Sequence, residues 1–162
     1  MTTLCGHTMR DFDIEFRTPS HGWMTVRISA GVQELHLDVS DVPCDSIRDL
    51  VTALSLVLQG FAERSVEWSL EPDYSKWTFC RDGEFLKLAI THSRTKKQQL
   101  VYRNKLHVIV HRLIKGLCDL ASNDCWGTFD QSNVTWHWAF PKQELAQLKA
   151  TYARSTDEKA EQ

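Results

Sequence analysis

Three segments near the N-terminus alternate between apolar and polar side chains, and this period of two constrains the fold more than any other feature. They are DFDIEF (11–16), WMTVRISA (23–30) and VQELHLDVS (32–40), with short turns at 20–22 and at Gly31. Because successive side chains of a strand point to opposite sides, the pattern predicts a three-stranded antiparallel meander with one packed side. The residues expected to point inward are Phe12, Ile14, Phe16, Met24, Val26, Ile28, Leu35, Leu37 and Val39.

The opposite side of this meander is polar and mostly acidic. We name it the acidic face and define it by eight residues that strand parity places together: Asp11, Asp13, Glu15, Trp23, Arg27, Glu34, His36 and Asp38. The plain interpretation is a solvated outer sheet surface. The functional interpretation is a surface that binds a protein of opposite charge.

The rest of the chain predicts an α+β protein. Between 40 and 60 the apolar positions recur at three and four residues, which indicates a helix that Asp45 or Ser46 begins and Gly60 ends. Segments 65–71, 77–80 and 85–91 predict three more strands. A second helix is predicted over 98–121, a strand or extended arm over 133–140, and a short helix from Pro141 over 141–154.

The resulting order is β-β-β-α-β-β-β-α, followed by the arm and a last helix. It predicts a mainly antiparallel sheet of about six strands with helices packed on one side. We expect a single domain over 1–155 and a mobile tail over 156–162.

The predicted second helix places His107 and His111 four residues apart, with Cys118 further along the same stripe. Histidines at this spacing can bind zinc, but catalytic zinc helices usually carry a glutamate after the first histidine, and here that residue is Val108. We therefore interpret the three side chains as the seam between core and solvent, and expect no metal and no other cofactor. Zinc binding is the alternative.

The sequence contains no GxSxG, Walker or GxGxxG motif. Its acidic residues alternate with apolar ones on strands, so their carboxyl groups face water. Acid–base catalysis needs a desolvated carboxyl group, and an outer sheet surface does not provide one. The basic segment 93–115 has Tyr102 as its one aromatic residue, and the chain carries a net charge of −2, so nucleic-acid binding is not expected. These features favour a non-catalytic protein.

The five cysteines form no CxxC pair, which is typical of reduced thiols. The start of the sequence lacks the pattern of a secretory signal, and no apolar run approaches the length of about 18 residues that a membrane span needs. We therefore predict a cytoplasmic protein that does not associate with membranes.

The stretch SDVPCDSIRDLVTALSLVLQG followed by SVEWSLEPDYSKWTFCRDGEFLKLAI resembles a pattern in small bacterial α+β proteins. In that pattern an Asp-rich strand end leads into a helix of the form D-x-I-x-x-L-x-x-A-L, and an acidic, Trp-bearing hairpin follows. Some of these proteins are uncharacterised, and others are immunity proteins encoded beside polymorphic or contact-dependent-inhibition toxins. The resemblance covers residues 10–122.

The resemblance implies a non-catalytic protein that neutralises the C-terminal domain of a cognate toxin in the cytoplasm. Toxins that attack nucleic acid are generally basic, so the acidic face would complement one and accelerate encounter. Trp23 or Trp68, if exposed, would supply the aromatic anchor, and strand parity favours Trp23. The alternative is a structural or housekeeping module that forms a homodimer through its sheet, with a metal-dependent enzyme as a third hypothesis.

Overall fold

The computed structural model describes residues 11–127 and 135–161. Within these ranges it confirms the α+β class, with seven strands where about six were predicted. The strands are β1 (Phe12–Phe16), β2 (Trp23–Ala30), β3 (Gln33–Ser40), β4 (Glu63–Ser69), β5 (Tyr74–Asp82), β6 (Phe85–His92) and β7 (Gln98–Lys105). The helices are α1 (Ser46–Leu58), α2 (Leu106–Ala121) and α3 (Lys142–Ala160). Helices α1 and α2 pack against the strands, and α3 packs on α1 and α2.

The strands follow one another in chain order, and every neighbouring pair is antiparallel. The junction of β3 and β4 is narrow, because Ser40 and Ser69 form its single paired position. At the other end of β3, the Gln33 side-chain amide donates to the Val101 carbonyl (2.8 Å) and accepts from the Val101 N–H (3.1 Å). One end of β3 therefore lies at β7 and the other at β4, so the β1–β3 unit lies across the β4–β7 unit.

The core fills the space between these two units and the helices. At one end of β1 the Phe12 ring stacks on Tyr102 at 5.5 Å, and at the other end Phe16 lies 6.1 Å from Trp68. The predicted inward residues of β1–β3 are buried, except that Leu35 is half-buried. Strand parity was therefore a sound guide to the core.

Helix α1 begins as the sequence predicts. The Asp45 side chain accepts a hydrogen bond from the Arg48 N–H (3.2 Å), which caps the first turn. At the other end, Arg81 Nη1 donates to the carbonyls of Val57 (2.6 Å) and Leu58 (3.0 Å). A side chain from β5 thus satisfies carbonyl groups that the end of a helix leaves without partners.

The prediction of a helix from residue 98 was wrong. Residues Gln98–Lys105 form β7, which pairs with β6, and α2 starts only at Leu106. Leu100 is the one fully buried side chain of this strand. With a single buried apolar residue, the strand shows no apolar–polar alternation in the sequence. The basic residues of 93–115 consequently do not share one helix face and are divided among the β6–β7 turn, β7 and α2.

The C-terminal region also differs from expectation. The last helix extends to Ala160, well beyond residue 154, and Lys159 Nζ lies 3.3 Å from Glu84 Oε1, so the predicted tail is largely helical. The predicted arm over 133–140 begins outside the described residues. From 135 onward it forms no strand, apart from an isolated parallel bridge between Trp126 and Trp136.

Helix α2 approaches β1 closely at Gly116. A Cβ atom at this position would lie 3.2 Å from both the carbonyl oxygen and Cγ2 of Ile14. We expect Gly116→Val to lower the free energy of unfolding by about 2 kcal/mol, because the backbone of a paired strand cannot move away. Urea denaturation followed by circular dichroism measures this loss. Lys115→Val, at an exposed neighbour, controls for helix propensity, and an equal loss in both variants would contradict the packing argument.

Candidate protein-binding face

The register of β1–β3 brings the acidic-face residues together on one surface. Glu15 lies opposite Arg27, and Arg27 lies opposite His36, so these three form one row across the strands. Asp13, Ser29 and Glu34 form the next row. Asp11, Trp23 and Asp38 are exposed on the same side by parity. The eight predicted residues thus share a surface, and their role in binding stays a prediction.

Part of the charge on this surface is neutralised internally. Arg27 Nε and Nη2 each lie 2.7 Å from Glu34 Oε1, and His36 Nε2 lies 3.2 Å from the same oxygen. The hydrogen bond from Arg27, followed by that from His36, lowers the pKa of Glu34 below its ordinary value of 4.5. The stabilisation from this pairing is therefore present above pH 4.5 and is lost as the pH falls through the lowered pKa.

The remaining carboxyl groups keep the acidic face negative. Asp38 accepts a hydrogen bond from the Thr25 hydroxyl (2.7 Å), which orients the carboxyl group without cancelling its charge. Glu15 has Arg17 at 3.7 Å, and both side chains are more than half exposed. Among the described residues, five carboxyl groups on this surface face two guanidinium groups, so it presents a net negative charge to a partner.

Trp23 is the large aromatic residue of the acidic face, and 39% of it is exposed. A tight turn holds it, because Ser20 and Trp23 exchange backbone hydrogen bonds of 2.9 and 3.0 Å around His21 and Gly22. Both turn residues have positive φ angles, 52° and 76°, which suits glycine at the second position. The indole is therefore presented at the end of β2 on an ordered backbone.

A buried carboxyl group braces this turn, and no sequence pattern indicated it. Asp41 is only 5% exposed, its Oδ2 accepts from the His137 N–H (2.6 Å), and its carbonyl accepts from the Trp138 indole N–H (2.6 Å). Its backbone N–H donates to the Gly22 carbonyl (3.0 Å). Asp41 thus ties the Trp23 turn to the segment that precedes α3. We name this group of contacts the Asp41 clamp.

Trp68, the other candidate anchor, is excluded from any surface role. It is fully buried on β4 and lies 5.1 Å from the Trp77 ring. Its parity was predicted to match Val66 and Leu70, and that side of β4 proves to be the core side. Of the two predicted anchors, Trp23 alone can contact a partner.

The histidine seam on α2 lies under α3. The Tyr152 hydroxyl donates to the His107 carbonyl (3.3 Å), and the Tyr152 ring lies 6.0 Å from the His111 ring. Cys118 lines an open hollow together with residues of α3. The part of the chain that the structure describes contains no group of three or more His, Cys, Asp or Glu side chains placed to hold a metal ion.

Two thiols, those of Cys80 and Cys125, are poorly suited to act as nucleophiles. Burial raises the pKa of the Cys80 thiol, and a hydrogen bond to Glu63 raises it further. Burial likewise raises the pKa of Cys125. Both thiols are therefore protonated at neutral pH, which is the weakly nucleophilic state.

Comparisons of the chain with protein-family models, with curated proteins and with solved structures give no match. Within residues 11–127 and 135–161, no helix has both the length and the apolar character needed to cross a bilayer. The structure thus defines an α+β protein with a three-helix layer and an acidic outer sheet surface.

Proposed function

We propose that this chain is a non-catalytic binding protein of the immunity type, which neutralises a basic toxin domain through its acidic face. The observation that carries the proposal is the β1–β3 register, which collects five carboxyl groups and an exposed tryptophan on one surface. A cytoplasmic site of action belongs to the same proposal. It is where the resemblance of residues 10–122 to immunity proteins would place the encounter.

The surface is suited to binding because its backbone is held from behind. β1 and β2 pair along the whole of β1, and the buried side chains of both strands pack into the core. A partner that docks here would order few backbone groups, so little of the interaction energy is lost to conformational entropy. Pre-organisation of this kind is what tight protein inhibitors require.

Charge and aromatic contact would have different roles in the complex. Exposed carboxyl groups at the surface mainly raise the association rate, because they attract a basic partner before contact. A tryptophan that enters a pocket on the partner mainly lowers the dissociation rate. Glu15 and Asp38 are the carboxyl groups best placed for the first role, and Trp23 for the second.

The first experiment is co-expression of the tagged chain with the toxin encoded by the adjacent gene, followed by affinity capture. Kinetics of the purified pair then test the face. We expect the double variant Glu15→Lys/Asp38→Lys to slow association by about tenfold or more at low salt, and by less at high salt. Trp23→Ala is expected to speed dissociation by about tenfold or more.

Glu63→Lys/Glu67→Lys is the matched control, because it also replaces two exposed carboxyl groups by lysines, but on β4, outside the acidic face. It is expected to leave both rate constants close to those of the wild type. The proposal is wrong if the adjacent gene product is not captured. The choice of surface is wrong if the control and the double variant slow association equally.

A further inference from the structure

The β4–β7 unit has an outer surface of its own, on the side away from the core. At its centre lies a row of small, uncharged residues: Ser65 opposite Thr78, Thr78 opposite Ala89, and Ala89 opposite Val101. We name it the neutral row. All its members are exposed or half-buried, and Val101 is 37% exposed. A row of short side chains permits another sheet to approach closely.

The charges beside the neutral row are sorted by strand. Glu63 and Glu67 lie on β4, and Lys87 and Arg103 lie on β6 and β7. Between them β5 carries one charge of each sign, Lys76 and Asp82, so the net separation lies between β4 and the β6–β7 pair. Glu63, Cys80, Lys87 and Arg103 form a single row across the four strands, acidic at one end and basic at the other. Within the chain Glu63 accepts from the Cys80 thiol (3.3 Å), and the Arg103 guanidinium lies over the Phe85 ring and 3.8 Å from Asp82, so both charges are exposed but already partly engaged. This surface is therefore dipolar from edge to edge, unlike the β1–β3 face, whose net charge is negative.

We propose that the chain forms a reversible homodimer by stacking this dipolar surface against the same surface of a second copy. A two-fold axis parallel to the strands, running between β5 and β6, reverses the order of the strands in the second copy. It places β4 over the partner's β7, so that Glu63 faces the partner's Arg103. The symmetry provides this contact twice, and the neutral rows pack together between the two pairs.

The charge pattern favours a second copy of this chain as the partner, and it favours the two-fold axis parallel to the strands. A two-fold axis perpendicular to the strands would place β4 over β4, with acidic groups opposed to acidic groups, which is unfavourable. Stacking two copies through their acidic faces would meet the same repulsion. A basic toxin domain suits the acidic face, whereas a surface with both signs at opposite edges is complementary to itself. The inference is independent of the proposed function, because it uses a different sheet surface.

The size of the surface sets the expected strength. Four strands spaced about 4.8 Å apart and about seven residues long cover a projected area of roughly 350–450 Å². A standard stable interface buries about 800 Å² per partner. We therefore expect a weak dimer with a dissociation constant of about 10–100 µM, populated at high protein concentration.

Sedimentation velocity over roughly 5–500 µM, a range that brackets this constant, tests the proposal. The wild type is expected to shift from monomer to dimer mass across the range. Glu63→Arg and Arg103→Glu should each raise the dissociation constant by about tenfold or more, because each opposes like charges. An equimolar mixture of the two variants is expected to regain the dimer, since the arginine introduced in one chain then faces the glutamate introduced in the other.

If the mixture of the two variants regains the dimer, the loss in each single variant is due to the charge contact and not to damage to the fold. Ala89→Lys places a long charged side chain at the centre of the neutral row and is expected to give a monomer with an unchanged circular dichroism spectrum. Glu15→Lys, on the acidic face, serves as the control and should leave the dimer intact. A wild type that stays monomeric to about 500 µM would overturn the proposal, and so would a mixture that stays monomeric while both single variants are folded.

Discussion

Replacing Trp68 by alanine is expected to lower the free energy of unfolding by about 3–5 kcal/mol, which is a large share of the stability of a domain of this size. Trp68 is fully buried where the two sheet units cross, with the Phe16 ring at 6.1 Å and the Trp77 ring at 5.1 Å. Alanine would leave a cavity between β1 and β4. The cavity cannot close, because each of these strands is held in its own unit by pairing with its neighbours.

Urea denaturation of the variant and the wild type measures this loss, and Trp23→Ala is the matched control. The same substitution at Trp23, which is 39% exposed, is expected to cost less than about 1 kcal/mol. Trp68→Phe should fall between them, because the smaller ring keeps much of the packing and removes an indole N–H that has no hydrogen-bond partner among the described residues. Equal losses at Trp68 and Trp23 would contradict the assignment of one to the core and the other to the surface.

The contrast between these two tryptophans shows what local pattern can predict. Alternation in β1–β3 indicated the inward side, and with it the exposure of Trp23, because strand parity is a property of consecutive residues. The burial of Trp68 depends on how β1–β3 crosses β4–β7. That crossing rests on contacts between distant positions, such as the Gln33 amide with the Val101 backbone, which no local period records.

Strand β7 was missed for a related reason. In QQLVYRNK the two polar positions at the start and the exposed Val101 disrupt the alternation, and the strongly helical LHVIVHRL follows without a break. The segment forms a strand because its backbone pairs with the free edge of β6. This pairing depends on the tertiary structure and not on the β propensity of the segment. The helical periodicity of α2 therefore led to a predicted helix that starts too early, at residue 98 and not at Leu106.

The acidic face could be predicted from the sequence, whereas the Asp41 clamp that holds its turn could not. Its eight residues follow from parity within 11–38, whereas the Asp41 clamp joins Asp41 to His137, 96 residues away. An aspartate at the end of a strand resembles any loop aspartate until the structure shows what its carboxyl group contacts. The site predicted from the sequence was thus the surface itself, without the buried group that holds its turn.

Asp41→Ala is expected to lower the free energy of unfolding by about 3 kcal/mol, because it removes a hydrogen bond to a buried carboxyl group and leaves the His137 N–H without that acceptor. The His137 N–H to Asp41 Oδ2 distance is 2.6 Å, and the residue is 5% exposed, so water cannot readily replace the carboxyl group. The loss would loosen the segment before α3 without detaching it, because the Trp138 indole still donates to the Asp41 carbonyl (2.6 Å) and the Gly22 N–H to the Thr135 carbonyl (3.0 Å). We therefore expect protease cleavage within 135–141 to become faster in the variant.

Asp41→Asn is the matched control, because its amide oxygen can still accept from His137 while the negative charge is gone. We expect it to lose about 1 kcal/mol, which separates the hydrogen bond from the charge. If both variants lose the same amount, the negative charge and not the acceptor geometry stabilises the clamp. If neither loses more than about 0.5 kcal/mol, which is typical of surface substitutions, the clamp does not hold the turn, and the ordered presentation of Trp23 needs another cause.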